Sequence, residues 1–148
     1  MSLEDDIRTL SAVPVFDQME VEAVRLIAFS GITRNLKADE VLFKTGDTSE
    51  GGYLVLNGRI AIEQNGNVAR HIAGAGTLIG EVALIAETEC GATATALQPT
   101  QVLFVSRTLF RRVLGEFPVS ANRLKTRMAE RLTRTSRELA QMRGVLEN

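Results

Sequence analysis

The chain has 148 residues, one cysteine and a formal net charge of −1. That length fits one domain with a real core, and 45% hydrophobic against 24% charged residues excludes a disordered chain. No apolar run approaches the roughly 18 residues of a membrane span, no signal peptide opens the chain, and a lone cysteine excludes an internal disulfide, so a cytoplasmic protein without membrane contact is expected.

Residues 3–29 have helical spacing: Leu3, Ile7 and Leu10, then Val21, Val24, Ile27 and Ala28 after a break at Pro14. Residues 30–106 read as short strands cut by turns. The strand-like runs are Ile32–Leu36, Val41–Lys44, Gly52–Leu56, Arg59–Glu63, Ala69–Ile72, Thr93–Leu97 and Val102–Ser106. Asn57-Gly58 and Asn65-Gly66 supply the positive φ of tight turns and predict hairpins. Strands at this spacing argue for a small antiparallel sandwich or barrel.

From Arg107 the period changes. Leu109, Phe110, Val113, Leu114 and Phe117 fit a helix that Pro118 interrupts, and a second helix runs from about Ser120 toward Arg143. Along it Met128, Leu132, Thr135, Leu139, Met142 and Leu146 alternate spacings of 4 and 3, the pattern of a coiled-coil seam. A single amphipathic helix lying on its own domain gives a similar stripe. The predicted length exceeds what one small roll covers, which favours a homodimer through this helix.

Charge is unevenly distributed. Residues 1–106 carry 7 basic and 14 acidic groups, and residues 107–148 carry 10 basic and 4 acidic. Such asymmetry marks some nucleic-acid faces. With no Trp and no aromatic residue between the basic ones from Arg123 onward, a solvated helix that pairs part of its charge with the acidic remainder is the better reading, and DNA is not expected as a partner.

The run Gly80-Glu81-Val82-Ala83-Leu84, a polar loop, then Cys90-Gly91-Ala92-Thr93 resembles the phosphate-binding cassette of cyclic nucleotide-binding domains, written there roughly as G-E-x-A-L, a loop and R-x-A-T. Other pieces fall in the family's order. Val13-Pro14-Val15-Phe16 looks like its opening motif, Val41–Asp47 resembles its I-F-x-x-G-D turn, and Gly52–Gly58 resembles its Y-x-I-x-x-G segment. The likeness covers about residues 10–140. Met128–Ser136 is similar to the dimerisation helix of the catabolite activator (Crp/Fnr-like) branch of bacterial regulators. Those regulators continue into a helix-turn-helix; this chain stops at Asn148, and a sensor module without that output domain is expected.

The resemblance implies a mainly β fold with flanking helices: an antiparallel β-roll, jelly-roll-like, with an N-terminal helical segment and two C-terminal helices, the last long. It implies one domain over residues 1–148, with N-terminal helices and roll at 10–106 and C-terminal, dimerising helices at 107–146. The ligand-binding set it implies is Gly80, Glu81, Val82, Ala83, Cys90, Gly91, Ala92 and Thr93 for phosphate and ribose, with Arg131, Thr135 and Ser136 on the last helix for the base. Met128, Leu132, Leu139 and Met142 form the implied dimer seam.

The chemistry assigns roles within that set. Gly80 opens a short helix whose free N–H groups face an anion. Glu81 matches the carboxylate that accepts from the ribose 2′-hydroxyl, with Arg131 as its partner; a carboxylate at a helix N-terminus also serves the dipole alone. Gly91 and Ala92 offer backbone N–H groups and Thr93 a hydroxyl. Cys90 is the departure, because the family's arginine at this place grips the phosphate and a thiol is only a weak donor. Arg131 or Arg134 are substitute cations.

Other chemistry for Cys90 is thinly supported. An iron–sulfur cluster needs several thiolates, haem would take Cys90 or His71 as axial ligand, and a thiol switch needs a depressed pKa. No cofactor, no metal and no enzymatic activity are expected. The expected function is a cyclic nucleotide sensor, cyclic AMP ahead of cyclic GMP because of Thr135-Ser136, that repositions its C-terminal helices toward a downstream signalling protein. The alternatives are a dimerising adaptor that no longer binds nucleotide, and the sensor part of a transcription regulator.

Overall fold

The structure is a computed structural model that describes residues 3–64, 70–127 and 129–130. Helix α1 (Leu3–Ser11) opens with Glu4, Asp5 and Asp6, carboxylates that suit the positive end of a helix dipole. Its Ile7 and Leu10 are buried, one turn apart. The break predicted at Pro14 is a series of tight turns, with Val13 donating to the Leu10 carbonyl at 3.0 Å and Phe16 to that of Val13 at 2.9 Å. Helix α2 (Val21–Ser30) then buries Ala23, Val24, Ile27 and Ala28, one face of a 3.6-residue period.

Among the described residues ten strands follow: β1 (Ile32–Leu36), β2 (Val41–Phe43), β3 (Thr48–Ser49), β4 (Gly51–Asn57), β5 (Ile60–Glu63), β6 (Arg70–Ala73), β7 (Leu78–Ile79), β8 (Thr88–Glu89), β9 (Thr93–Ala96) and β10 (Thr100–Ser106). A 3₁₀ turn, Glu81–Leu84, separates β7 from β8. One sheet has the order β1-β10-β4-β7, the second β2-β9-β5-β6, and β3-β8 is a two-stranded ribbon. The pairings are antiparallel. The fold is the expected mainly β roll with helices at both ends.

Seven of these strands correspond to the runs read from the sequence. The others, β3, β7 and β8, have two residues each, too short for a period-2 pattern to register. The Asn57-Gly58 expectation is corrected. β4 and β5 do not pair with each other but lie in different sheets, so this dipeptide is a corner between sheets. Gly58 has φ 97°, and a Cβ there would stand 2.4 Å from Thr100 Oγ1; the glycine serves the positive φ and the close approach together. Asn65-Gly66 lies outside the described residues, but the strands it was expected to join, β5 and β6, do pair.

The first sheet separates two cores. On β4 and β10 alternate residues face opposite ways: Leu54, Leu56, Leu103 and Val105 pack with α1 and α2, whereas Val55 and Val102 pack inside the roll with Leu36, Leu42 and Ile60. Phe16 and Phe110 meet edge to face at 5.9 Å in the helical core.

Helix α3 (Arg107–Glu116) follows β10 without a loop. Ser106 caps it, accepting from Leu109 N at 3.0 Å. Phe117 leaves the helix with φ −126° and ψ 76°, and α4 starts at 118 and is helical through 127 and again at 129–130. Pro118 therefore starts the second helix, where its missing N–H costs nothing. Buried Ser120 accepts from the Glu20 backbone N–H at 2.9 Å. Arg123 donates to the Gln18 carbonyl at 2.9 Å, and Arg127 bonds the Pro14 carbonyl and the Asp17 carboxylate. These two arginines serve the N-terminal segment, the self-pairing reading of the basic C-terminal third.

Candidate functional site

A cavity of about 540 Å³ opens on the inner side of the roll, within the 300–1,000 Å³ typical of small-molecule sites. The 3₁₀ turn and the strand ends around it bring Gly80, Glu81, Val82, Ala83, Cys90, Gly91 and Ala92 to its lining. Gly80 precedes the turn at φ 81° and ψ 38°, a left-handed conformation that glycine adopts without strain. That conformation swings the chain from β7 into the turn, whose first N–H groups have no partner inside it. Glu81 is half-buried, while Val82 is 61% exposed at the cavity mouth. Ala83 is buried beneath them.

Cys90 is fixed by its backbone. Its N–H donates to the Asp47 carbonyl at 2.7 Å and its carbonyl accepts from Gly46 at 2.8 Å. Burial pushes the thiol pKa up and the Asp47 carboxylate adds to this, with a smaller opposing effect from Ser49. The side chain is thus a neutral thiol rather than a thiolate. His71 lies on β6 opposite Ile62 and does not line the cavity that Cys90 lines.

Thr93 is placed elsewhere. Its neighbour Ala94 points into the roll core, so Thr93 points outward. There its hydroxyl accepts from Thr45 N at 3.1 Å and meets Thr45 Oγ1 at 3.1 Å. It holds the turn between β2 and β3 rather than the cavity. Arg131, Thr135, Ser136 and the seam residues Met128, Leu132, Leu139 and Met142 lie outside the described residues.

Three features were missed by sequence reasoning. The apolar lining comes from Phe43, Tyr53, Ile62, Leu78 and Ile79, none of which was read from the sequence as a lining residue. The rings of Phe43 and Tyr53 are 5.9 Å apart and those of Tyr53 and Phe104 5.0 Å apart, forming an aromatic row along the roll. The second is Arg107, the first residue of α3. Its guanidinium donates to three backbone carbonyls, Ser49 at 3.2 Å, Ala83 at 3.1 Å and Ala86 at 3.0 Å, and its own N–H donates to Glu50 at 2.8 Å. It ties the 3₁₀ turn to α3. No sequence signal marks such a bond, because backbone carbonyls carry no side-chain identity.

The third feature is electrostatic. Among the described residues, the charged side chains lining this cavity are Glu81 and Glu89, both acidic. A neighbouring recess of about 400 Å³ shares Phe43, Ser49, Tyr53 and Cys90 with it and adds Arg34, Asp47 and Glu50. A third recess, about 720 Å³, lies between α4 and the 14–18 turn. It is larger but remote from the 3₁₀ turn, and its two arginines already bond the N-terminal segment.

A cavity on the inner face of an antiparallel roll, with a glycine-opened 3₁₀ turn across it, has the size and lining of a small-ligand site. Residues 33–117 match the cyclic nucleotide-binding domain family. The chain belongs to that family. It is 31% identical over 131 residues to the cyclic AMP receptor protein of Thermus thermophilus, covering 85% of this chain and 60% of that one. It is 29% identical over 117 residues to lysophospholipase NTE1 of Chaetomium globosum, covering 76% of this chain but 8% of the enzyme. Among solved structures, a cyclic nucleotide-binding-like protein from Brucella abortus superposes with a TM-score of 0.68 at 36% identity, over 75% of this chain and 98% of that one. The chain therefore spans a small fraction of the lysophospholipase it matches and less than two thirds of the receptor protein.

Proposed function

We propose that this domain is a cyclic nucleotide sensor that binds cyclic AMP ahead of cyclic GMP and works as a homodimer through its last helix. The observation that carries the proposal is the single cavity that gathers Gly80–Ala83 and Cys90–Ala92 on one lining. Backbone N–H groups of the 3₁₀ turn and of Gly91 and Ala92 meet the cyclic phosphate, Glu81 accepts from the ribose 2′-hydroxyl, and Val82 and the aromatic row cover the sugar and base. Arg131, Thr135 and Ser136 are the proposed base contacts, and Met128, Leu132, Leu139 and Met142 the proposed seam.

The mechanism follows from connectivity. A ligand changes an equilibrium only through contacts that differ between two states. The 3₁₀ turn touches the ligand and is bonded by Arg107 to the first turn of α3, and the break at Phe117 separates α3 from α4. Movement of the turn thus redirects α4 about that hinge. Titration of purified protein with cyclic AMP and cyclic GMP, followed by calorimetry and thermal shift, tests the reading: saturable binding supports it, and no response at millimolar ligand removes it. The second reading, a dimerising adaptor without nucleotide, is favoured by one observation, the neutral Cys90 thiol in a cavity whose charged lining residues are Glu81 and Glu89. Within either reading the domain is cytoplasmic and hands its state to a signalling partner; among the described residues no helix is long and apolar enough to cross a membrane.

A further inference from the structure

The cavity has a charge problem that its own lining does not solve. A cyclic phosphate brings one negative charge to a site where the charged groups, Glu81 and Glu89, are acidic, and where Cys90 stands in the place of a cation. Across Cys90 and Tyr53 the neighbouring recess contains Arg34, the one cationic side chain lining either space among the described residues.

The position of Arg34 is unusual for an arginine. β1 pairs with β10 so that Arg34 faces Val102, and Val102 in turn faces Val55. Residues directly opposite in antiparallel strands share a face. Val102 and Val55 are buried inside the roll, as is Leu36, two residues along β1. Arg34 therefore projects from the inner, ligand-side face, at its exposed mouth. Among the described residues it makes no ion pair, although Asp47 lines the same recess; that carboxylate accepts from the Lys44 backbone N–H at 2.9 Å. The guanidinium lies near the Tyr53 hydroxyl, whose pKa is raised by burial against the opposing pull of Arg34. Tyr53 is thus a neutral phenol that does not itself cancel the guanidinium charge; the carboxylates lining the same recess are Asp47 and Glu50.

We propose that Arg34, reaching past Tyr53 from the inner face of β1, supplies the positive charge for the cyclic phosphate that position 90 lacks. This rests on the cyclic nucleotide reading of the site. A guanidinium on a phosphate oxygen is a charge-assisted contact, and in this proposal it comes from β1, at the other edge of the first sheet from the β7 strand that leads into the 3₁₀ turn, so that the anion sits between side-chain and backbone donors.

Calorimetry with cyclic AMP and with adenosine, which lacks the phosphate, tests the assignment on wild type, Arg34→Gln and Arg34→Gln/Cys90→Arg. Arg34→Gln is expected to weaken cyclic AMP about tenfold, leave adenosine unchanged, and leave the melting temperature unchanged because the residue is exposed. Adding Cys90→Arg is expected to restore cyclic AMP affinity, since either arginine then suffices. Equal weakening of both ligands, or no change in cyclic AMP affinity, overturns the role of Arg34 while leaving the sensor intact. Wild-type protein that binds neither cyclic AMP nor cyclic GMP overturns the sensor reading and this assignment together.

Discussion

Cys90 and Arg107 show how differently two single residues load one site. Cys90 is held in place by backbone bonds to Gly46 and Asp47, so its side chain is replaceable without moving the chain. Cys90→Arg is expected to tighten cyclic AMP binding by about tenfold to a hundredfold, the value of a charge-assisted contact of about 1.5–3 kcal/mol, read by titration. The thiol itself gives a second measurement. Because burial and Asp47 raise its pKa, the thiolate fraction at neutral pH is below that of a free thiol. Alkylation by iodoacetamide is therefore expected to be slower than for a small-molecule thiol at pH 7 and to accelerate only as pH climbs past the ordinary cysteine range. The stability sign agrees: a raised thiol pKa favours the folded protein at low pH, and that contribution is lost as pH rises through the folded value. A fast, pH-independent reaction at pH 7 contradicts the neutral thiol and revives a redox role. Arg107 is the opposite case. Arg107→Met removes the Nη1 donor shared by the carbonyls of Ser49, Ala83 and Ala86, with an expected loss of about 1–3 kcal/mol after partial hydration of the exposed end. Thermal melts measure the loss, and hydrogen exchange is expected to rise first at 81–86.

At the scale of elements, junctions carry the information. Ser120 is fully buried, and its hydroxyl is the acceptor for Glu20 N, so Ser120→Ala leaves a part-buried donor unsatisfied. A cost of about 1–3 kcal/mol is expected in chemical denaturation, with a larger fluctuation of α4 against the 12–20 segment. An unchanged midpoint places the connection elsewhere. The longer strands and both ends of the helical segments were legible because Ile7 and Leu10, or Leu103 and Val105, repeat with the period of their element. The two-residue strands were not, since they exist only through partners distant in sequence, as Thr48 opposite Glu89. Asn57-Gly58 misled for a related reason. The dipeptide specifies positive φ locally, but whether the flanking strands return on themselves or part into two sheets is decided by Thr100 and the β10 pairing. Of the site, the run from Gly80 to Ala92 was readable from its order of residues. That order does not give the direction of Thr93, which strand alternation at Ala94 turns outward.

For the whole molecule, the first sheet is the wall between a helical core and the interior of the roll. Leu54 and Val55, adjacent in β4, belong to different cores, so a shift of that strand on the ligand side is transmitted to α1 and α2 without an intervening loop. The charge division between the two parts of the chain is partly internal, as Arg127 with Asp17 shows. Dimerisation is a property of the last helix in our proposal. Light scattering of wild type is expected to give twice the chain mass, and Leu132→Glu/Leu139→Glu to give the monomer, because two like charges facing across a coiled-coil seam are repulsive. A monomeric mass for wild type at high concentration removes the seam and with it the adaptor reading.

The bonds from Arg107 to the 3₁₀ turn end on main-chain oxygens alone. Substitutions at 82, 83 or 86 therefore leave the connection in place, so long as the chain path is kept. The lining of the cavity is free to change what it recognises while the link to α3 persists unchanged. The domain separates its vocabulary from its grammar: with cysteine at position 90, a binding signal in our proposal still has a route outward through Arg107.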